Sequence, residues 1–307
     1  MRFFLALLCP PLLALVLISG VFLLPEPADA AVWPAQDIRV TLPFSKGNAI
    51  DLLMELQGKS LLASTGSHMI PNHVPGRGGL NAWATMDFSI TDGSVLTAVE
   101  LPGLLLRSLQ PSNGLDLKNM ALCHISAYAP LALWVPEDSA FASLEDFIVA
   151  ARKTPRTLQV AGPGSYSPAQ IAALRFDRQA GIQTLYMPFM GDMEAMNASA
   201  NASIVAFWAD AIRYPDFTGR YRPLAVAAEA RSAAFPDLPT FRELGFELVE
   251  GSFRGYVVPL ETSKPMRQAI FETFEEIRND PFFINAAAAL GFSIPAVGEA
   301  AFAEFSD

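Results

Sequence analysis

The chain has 307 residues and carries 21 lysines and arginines against 31 aspartates and glutamates, a net charge of −10. This acidic balance argues against a nucleic-acid binder. With only Cys9 and Cys123 present, and with His68, His73 and His124 scattered along the chain, neither a disulfide framework nor a zinc pattern can be drawn, and the three histidines read as structural or surface residues.

Arg2 precedes an apolar run from Phe3 to Leu24, and the sequence PEPADA leads to Ala31. One positive charge, a hydrophobic core and the small-x-small site Ala28-Asp29-Ala30 describe a secretory signal peptide over residues 1–30, with the mature chain beginning near Ala31. The apolar run is also long enough to span a bilayer, which leaves a retained anchor as the alternative. Removing residues 1–30 takes away Arg2, Glu26 and Asp29, leaving 20 basic and 29 acidic side chains, a net charge of −9, and Cys123 as the only cysteine. The remaining 277 residues suit two lobes better than one domain.

The most informative stretch is Arg39 to Asp51, RVTLPFSKGNAID. A short apolar strand (Val40, Leu42, Phe44) runs into a break of Ser45, Lys46, Gly47 and Asn48, and a helical pattern starts at about Asp51. A strand that feeds a helix through a glycine-bearing turn points unpaired backbone N–H groups, backed by the helix dipole, above the sheet, where they suit an anion. A second turn of this kind lies in VAGPGSYSPAQIAAL, Val160 to Leu174. Either turn alone also reads as an ordinary strand-to-helix connection; one in each half of the chain suggests two lobes facing each other across a cleft.

Between and beyond these turns, strand patterns alternate with helical ones. Leu52, Leu53, Leu56, Leu61 and Leu62 mark a helix face, and Met69 to His73 enters the glycine-rich loop Pro75-Gly76-Arg77-Gly78-Gly79. No Gly-Lys-Ser/Thr follows that loop, so it is not a nucleotide cradle. Ser94 to Val99, Ala129 to Val135, Leu158 to Ala161, Leu185 to Phe189, Ile204 to Phe207, Leu224 to Ala227 and Phe253 to Pro259 read as strands. Ser143 caps a helix through Leu144, Phe147, Ile148 and Ala151, and Ser263 with Pro265 heads another through Met266, Ile270, Phe274 and Ile277. Such alternation predicts an α/β protein with mainly parallel sheets.

The order PFSKGNAID, NHVPGRGGLN, TDG, APLALWVP, VAGPGSYSP, YMPFMGDMEA, FPDLPTFRELGF and FRGYVVP resembles the Bug family, the periplasmic substrate-binding receptors of tripartite tricarboxylate transporters. The resemblance runs from about Asp37 to Phe305; Pro75-Gly76 with Gly78-Gly79, and Phe235 to Thr240 with Glu243 and Gly245, are its most specific parts. It implies a two-lobe periplasmic binding protein fold of the Venus-flytrap type, holding a small carboxylate between the lobes in the periplasm of a Gram-negative bacterium. It also implies membrane transporter subunits as partners and a monomer without cofactor or metal. The expected boundaries are 32–131 plus 254–307 for lobe one and 132–253 for lobe two, with the Ala129 to Val135 and Phe253 to Pro259 strands crossing between them.

The expected ligand contacts are Phe44, Ser45, Lys46, Gly47, Asn48 and Asp51 from the first turn and Gly164, Ser165, Tyr166 and Ser167 from the second, with Glu100, Phe189 and Asp210. Departures from the family pattern bear on the ligand. Lys46, Asn48 and Ile50 replace small or hydroxyl residues, Glu100 falls where a Ser or Thr is expected, and Arg77 replaces a small residue. Arg254 stands near a usual aromatic, Met190 where Lys or Arg is common, and Ala209 or Asp210 in the region of the family's Asp. Lys46 and Glu100 are therefore expected either to pair with each other or to flank a zwitterion, unless Glu100 caps a turn or Lys46 lies outside the cleft. An enzyme is not expected, because Gly164-Ser165-Tyr166-Ser167 lacks the Gly-x-Ser-x-Gly pattern and no histidine lies in a matching loop. A sensor or interaction protein of the same fold, not coupled to uptake, is the alternative.

Overall fold

The computed structural model describes residues 32–110, 113–200, 203–213, 217 and 219–295; the expected leader lies outside them. Among the described residues, no helix is long and apolar enough to cross a membrane.

Strand β1 (Ile38–Leu42) lies parallel to both β2 (Met69–His73) and β3 (Val95–Leu101). Helix α1 (Ala49–Thr65) follows β1, and helices α2 (Leu80–Ala84) and α3 (Gly103–Ser108) flank β3 in sequence. The chain then enters β4 (Met120–Pro136), the longest strand described, at 17 residues. Helix α4 (Leu144–Lys153), β5 (Gln159–Pro163), α5 (Pro168–Ala180), β6 (Leu185–Phe189), α6 (Asp192–Ala198), β7 (Ile204–Asp210) and β8 (Tyr221–Val226) come next. The described chain closes with β9 (Gly251–Pro259), α7 (Lys264–Arg278) and α8 (Pro281–Leu290). The strand order is β2-β1-β3-β9-β4-β7-β5-β6, with β8 also on β4.

The pivot of this order is β4. Its residues Met120 to Pro130 pair with β9, whereas Leu131 to Pro136 pair with β7 and β8. At the Pro130–Leu131 junction β9 begins and β7 ends, since Gly251 pairs Pro130 and Asp210 pairs Leu131. The sheet is mixed: β1–β2, β1–β3, β5–β6 and β5–β7 are parallel, while every pairing of β4 and β9 is antiparallel. The expectation of mainly parallel sheets thus holds only away from these two strands.

Apolar cores form on either side of the pivot. Val40, Leu42, Leu53, Leu61, Tyr256 and Phe274 belong to one cluster around β1 and α7. Beyond the pivot, Phe147, Phe176, Trp208 and Phe241 fill one cluster, and Trp134, Phe207, Phe217 and Tyr221 another. Trp208 and Phe241 stack with ring centroids 5.5 Å apart, and Phe176 meets Phe241 edge-on at 5.1 Å. Such large rings in offset or edge contact dominate burial energetics, each removing about 150–250 Å² from water.

Local chemistry explains the element ends. Ser143 and Asp146 form a reciprocal capping box at α4, and Ser263 caps α7 by accepting from the Met266 N–H at 3.3 Å. Several sequence expectations shift. Phe44 lies beyond β1, and Leu62 is exposed because α1 turns Leu53, Met54, Gln57 and Leu61 inward. The strand expected at Ala129 to Val135 begins at Met120. His124 and Ser126 disguise that first half: both are buried, and the imidazole is satisfied by Ser126 Oγ and Glu275 Oε1, each at 3.0 Å.

Candidate functional site

Both glycine-bearing turns are built by local hydrogen bonds. In the first, Gly47 takes φ +82°, a left-handed conformation that L side chains rarely adopt, and its N–H donates to Asp51 Oδ2 at 2.7 Å. Asn48 caps α1, its Oδ1 accepting from Ile50 N–H at 3.2 Å. Asp51 Oδ1 also meets His73 Nε2 at 2.9 Å, so this carboxylate ties the turn to β2. In the second turn Ser167 caps α5 by accepting from Gln170 N–H at 3.2 Å, and Tyr166 N–H donates to Gln170 Oε1 at 2.7 Å.

A cavity of about 20 Å³ lies between the turns, with Phe44, Asn48 and Glu100 on one side and Pro163, Ser167 and Asp210 on the other. That volume holds about one water molecule. The wall also includes Gly78, Gly103, Leu131, Asp192, Ser252 and Arg254. A larger hollow of about 870 Å³ lies beside the pivot, lined by Tyr128, Phe253 and Phe292 among others; its edge reaches Pro295, where the described chain stops.

The charged floor of the small cavity is assembled by strand register. Glu100 on β3 is the cross-strand partner of Arg254 on β9. The junction on β4 brings Asp210, the last residue of β7, to the same place. Arg254 Nη2 lies 3.1 Å from Glu100 Oε2 and 2.5 Å from Asp210 Oδ2, and Nη1 donates to Ser252 O at 3.3 Å. Arg254 is 1% exposed, Asp210 3% and Glu100 8%. Burial pushes the Glu100 carboxyl up to about 7; Arg254 opposes this and Asp210 adds to it. Burial alone would lower Arg254, but Asp210, Glu100 and Asp192 more than offset it and hold the guanidinium charged.

A second arginine spans the cavity. Arg107 on α3 is buried, its Nε donating to Gly78 O at 2.8 Å in the glycine-rich loop while Nη2 donates to Ser165 O in the second turn. This contact explains the glycines: a Cβ on Gly78 would lie 1.9 Å from the Arg107 guanidinium, and one on Gly164 would lie 3.2 Å from Gly78 Cα. Ser45 Oγ makes a parallel link to Glu194 Oε1 at 3.3 Å. Replacing Arg107 with alanine strands two carbonyls and is expected to cost about 1–3 kcal/mol of stability. It should also widen the gap between the turns, read as faster ligand association by stopped-flow; an unchanged association rate would show that Arg107 does not hold the gap shut.

Of the residues expected at the ligand, Phe44, Asn48, Glu100, Ser167 and Asp210 line the cavity. Lys46 does not: it is exposed, and it lines a separate surface hollow of about 570 Å³ with Asp51 and His73. The expected pairing of Lys46 with Glu100 is therefore corrected, because Glu100 pairs with Arg254. Ser45, Gly47, Gly164 and Ser165 shape the turns, Tyr166 is 51% exposed, and Phe189 packs on the apolar cluster around Trp134. Asp192 and Arg107 were not expected at the site, and Arg254 was noted only as a departure near a usual aromatic. The signal for Arg254 was a charge inside an otherwise apolar strand, but its partners depend on register. No group of three or more His, Cys, Asp or Glu among the described residues is arranged to hold a metal.

Known proteins share this architecture. A 272-residue alignment to "UPF0065 protein in gbd 5'region" of Cupriavidus necator is 26% identical and covers 88% of this chain and 83% of that protein. The structure of MatC from Rhodopseudomonas palustris with bound malate superposes with a TM-score of 0.79 at 20% identity, covering 89% of this chain and 96% of that one. A second R. palustris protein, solved with adipate, gives 0.79 at 21% identity over 85% of this chain and 89% of that one. These likenesses establish the α/β periplasmic binding protein fold. Residues 59–305 match the family described as "Tripartite tricarboxylate transporter family receptor". With that match covering most of its length, the chain belongs to the receptors of the tripartite tricarboxylate transporter family, which are binding proteins and not enzymes.

Proposed function

We propose that this receptor captures a small carboxylate in the periplasm, between a lobe of residues 32–131 plus 254–307 and a lobe of residues 132–253, and delivers it to membrane transporter subunits. The observation that carries the reading is the pair of turns heading α1 and α5, which face one cavity above a buried arginine. Backbone N–H groups at such helix starts suit a carboxylate, and charge-assisted bonds are roughly twice as strong as neutral ones. The dicarboxylates in the two similar R. palustris structures, malate and adipate, agree with this class of ligand.

The ligand contacts in this reading come from Phe44, Ser45, Gly47 and Asn48 in the first turn, Gly164, Ser165, Tyr166 and Ser167 in the second, and Glu100, Asp210 and Arg254 in the floor. Opening is a rotation about the β4 and β9 strands that breaks the Arg107 and Ser45 links, and the ligand replaces those links on closure. Calorimetry of the mature chain with mono-, di- and tricarboxylates and a neutral sugar is the test. Binding of at least one carboxylate and none of the sugar is expected; binding of the sugar alone would overturn the reading.

A further inference from the structure

Resting on that receptor reading, we propose that Arg77 is the steering charge of the cleft: an exposed guanidinium at its mouth that draws carboxylates in from solution and sets how fast they are captured, without holding them once bound.

The glycine-rich loop places it there. Gly78, the next residue, lines the small cavity, and its carbonyl accepts from Arg107 Nε at 2.8 Å while Arg107 Nη2 donates to Ser165 O in the second turn. A Cβ on Gly164 would lie 3.2 Å from Gly78 Cα, so the glycine-rich loop and the second turn touch beside Arg77. Arg107 is held by two carbonyl oxygens, whereas Arg77 is exposed and has neither a hydrogen bond nor an ion pair among the described residues. The charge of Arg77 still reaches the edge of the cavity: burial lowers the pKa of Arg107, and Arg77 lowers it further.

The backbone shows that this position is not a neutral one for arginine. Arg77 takes φ +52°, between Gly76 at +123° and Gly78 and Gly79 at +62° and +95°. Glycine adopts such a conformation freely, but an L side chain there is strained. No packing or hydrogen bond of the Arg77 side chain offsets that strain. A strained, exposed and unpartnered residue at a binding mouth points to a role outside the fold.

Electrostatics supplies the role. The chain carries a net charge of −10, so an approaching carboxylate meets repulsion on average, and an uncompensated cation at the mouth reverses the sign locally. Lys46 does not serve in this way, because it lines a separate hollow together with Asp51 and Glu55. A unit charge about 10 Å from the approaching ligand changes its encounter rate in water about twofold per ligand charge, hence about two-, four- and eightfold for a mono-, di- and tricarboxylate at low ionic strength. The effect is long-range and is screened by salt.

Stopped-flow association of propionate, succinate, malate and citrate with the mature chain tests the proposal, at about 10 mM and about 1 M salt, where the Debye length is about 30 Å and about 3 Å. At low salt, Arg77→Gly is expected to slow those acids that bind by the factors above and to leave their dissociation rates unchanged; at high salt the difference disappears. Glycine suits the backbone of the loop, and Arg77→Gln, neutral but with the strain of the wild type, should slow association equally, while Arg77→Lys stays near wild type. Equal association rates for the wild type and both neutral variants at low salt would overturn the steering role while the receptor stands. A loss that survives high salt, or that appears in dissociation, would also overturn it, since that marks a ligand contact and not a long-range charge. Absence of binding by all four acids to the wild type would overturn both readings.

Discussion

Arg254→Met is expected to destabilise the protein by about 3–5 kcal/mol, the loss seen when one partner of a buried ion pair is removed. Methionine fills much of the space but leaves Glu100 and Asp210 beside each other in a site where both are almost fully buried. The damage is electrostatic, so neutralising the partners should repair it. The triple variant Arg254→Met, Glu100→Gln, Asp210→Asn is expected to recover most of the loss in urea denaturation at pH 7, because a buried ionic group replaced by neutral groups of similar volume is often close to neutral in stability. A triple variant as unstable as the single one would mean that Arg254 acts through packing against the Pro130–Leu131 junction and not through charge. Both variants should lose ligand binding, since each removes the cation of the cavity floor.

The second large effect is a stability slope set by Glu100. Its carboxyl is raised from 4.5 to about 7, chiefly by burial, so the folded protein holds this proton more tightly than the unfolded chain. The associated stabilisation is fully present below pH 4.5 and is lost as pH rises through about 7, on the order of 3 kcal/mol for a shift of this size. His124 works in the opposite direction: burial lowers its pKa, so its contribution falls as pH drops through the histidine range. The measurement is therefore the difference between wild type and Glu100→Gln, in which His124 cancels. Glutamine keeps an acceptor for Arg254 and cannot ionise. Its stability relative to wild type is expected to rise from pH 4.5 to 8; a difference that stays constant across that range would mean Glu100 does not carry the slope.

These two experiments probe a device assembled from three strands. Glu100 belongs to a strand of the first half of the sheet and Asp210 to the last position of β7, while Arg254 joins them where β9 meets β7 along β4.

What the sequence determined by itself was local. Alternation of apolar strands and amphipathic helices fixes the α/β class, and Asn48, Ser143, Ser167 and Ser263 announce helix starts because a side-chain oxygen can satisfy an orphan N–H only at that position. The two glycine-bearing turns were legible for the same reason, and so was the family, whose motifs lie in those turns and loops. The floor of the site was not legible. Lys46, inside the first turn, is exposed, whereas the partner of Glu100 is Arg254, 154 residues away. That choice depends on strand order and on a register in which one step would turn Arg254 to the opposite face. The bridge from Arg107 to Ser165, 58 residues away, likewise required the glycine-rich loop and the second turn to meet in space. Local hydrogen-bonding chemistry is written residue by residue, but the pairing of buried charges is set by which strands lie side by side, and only the tertiary structure decided that.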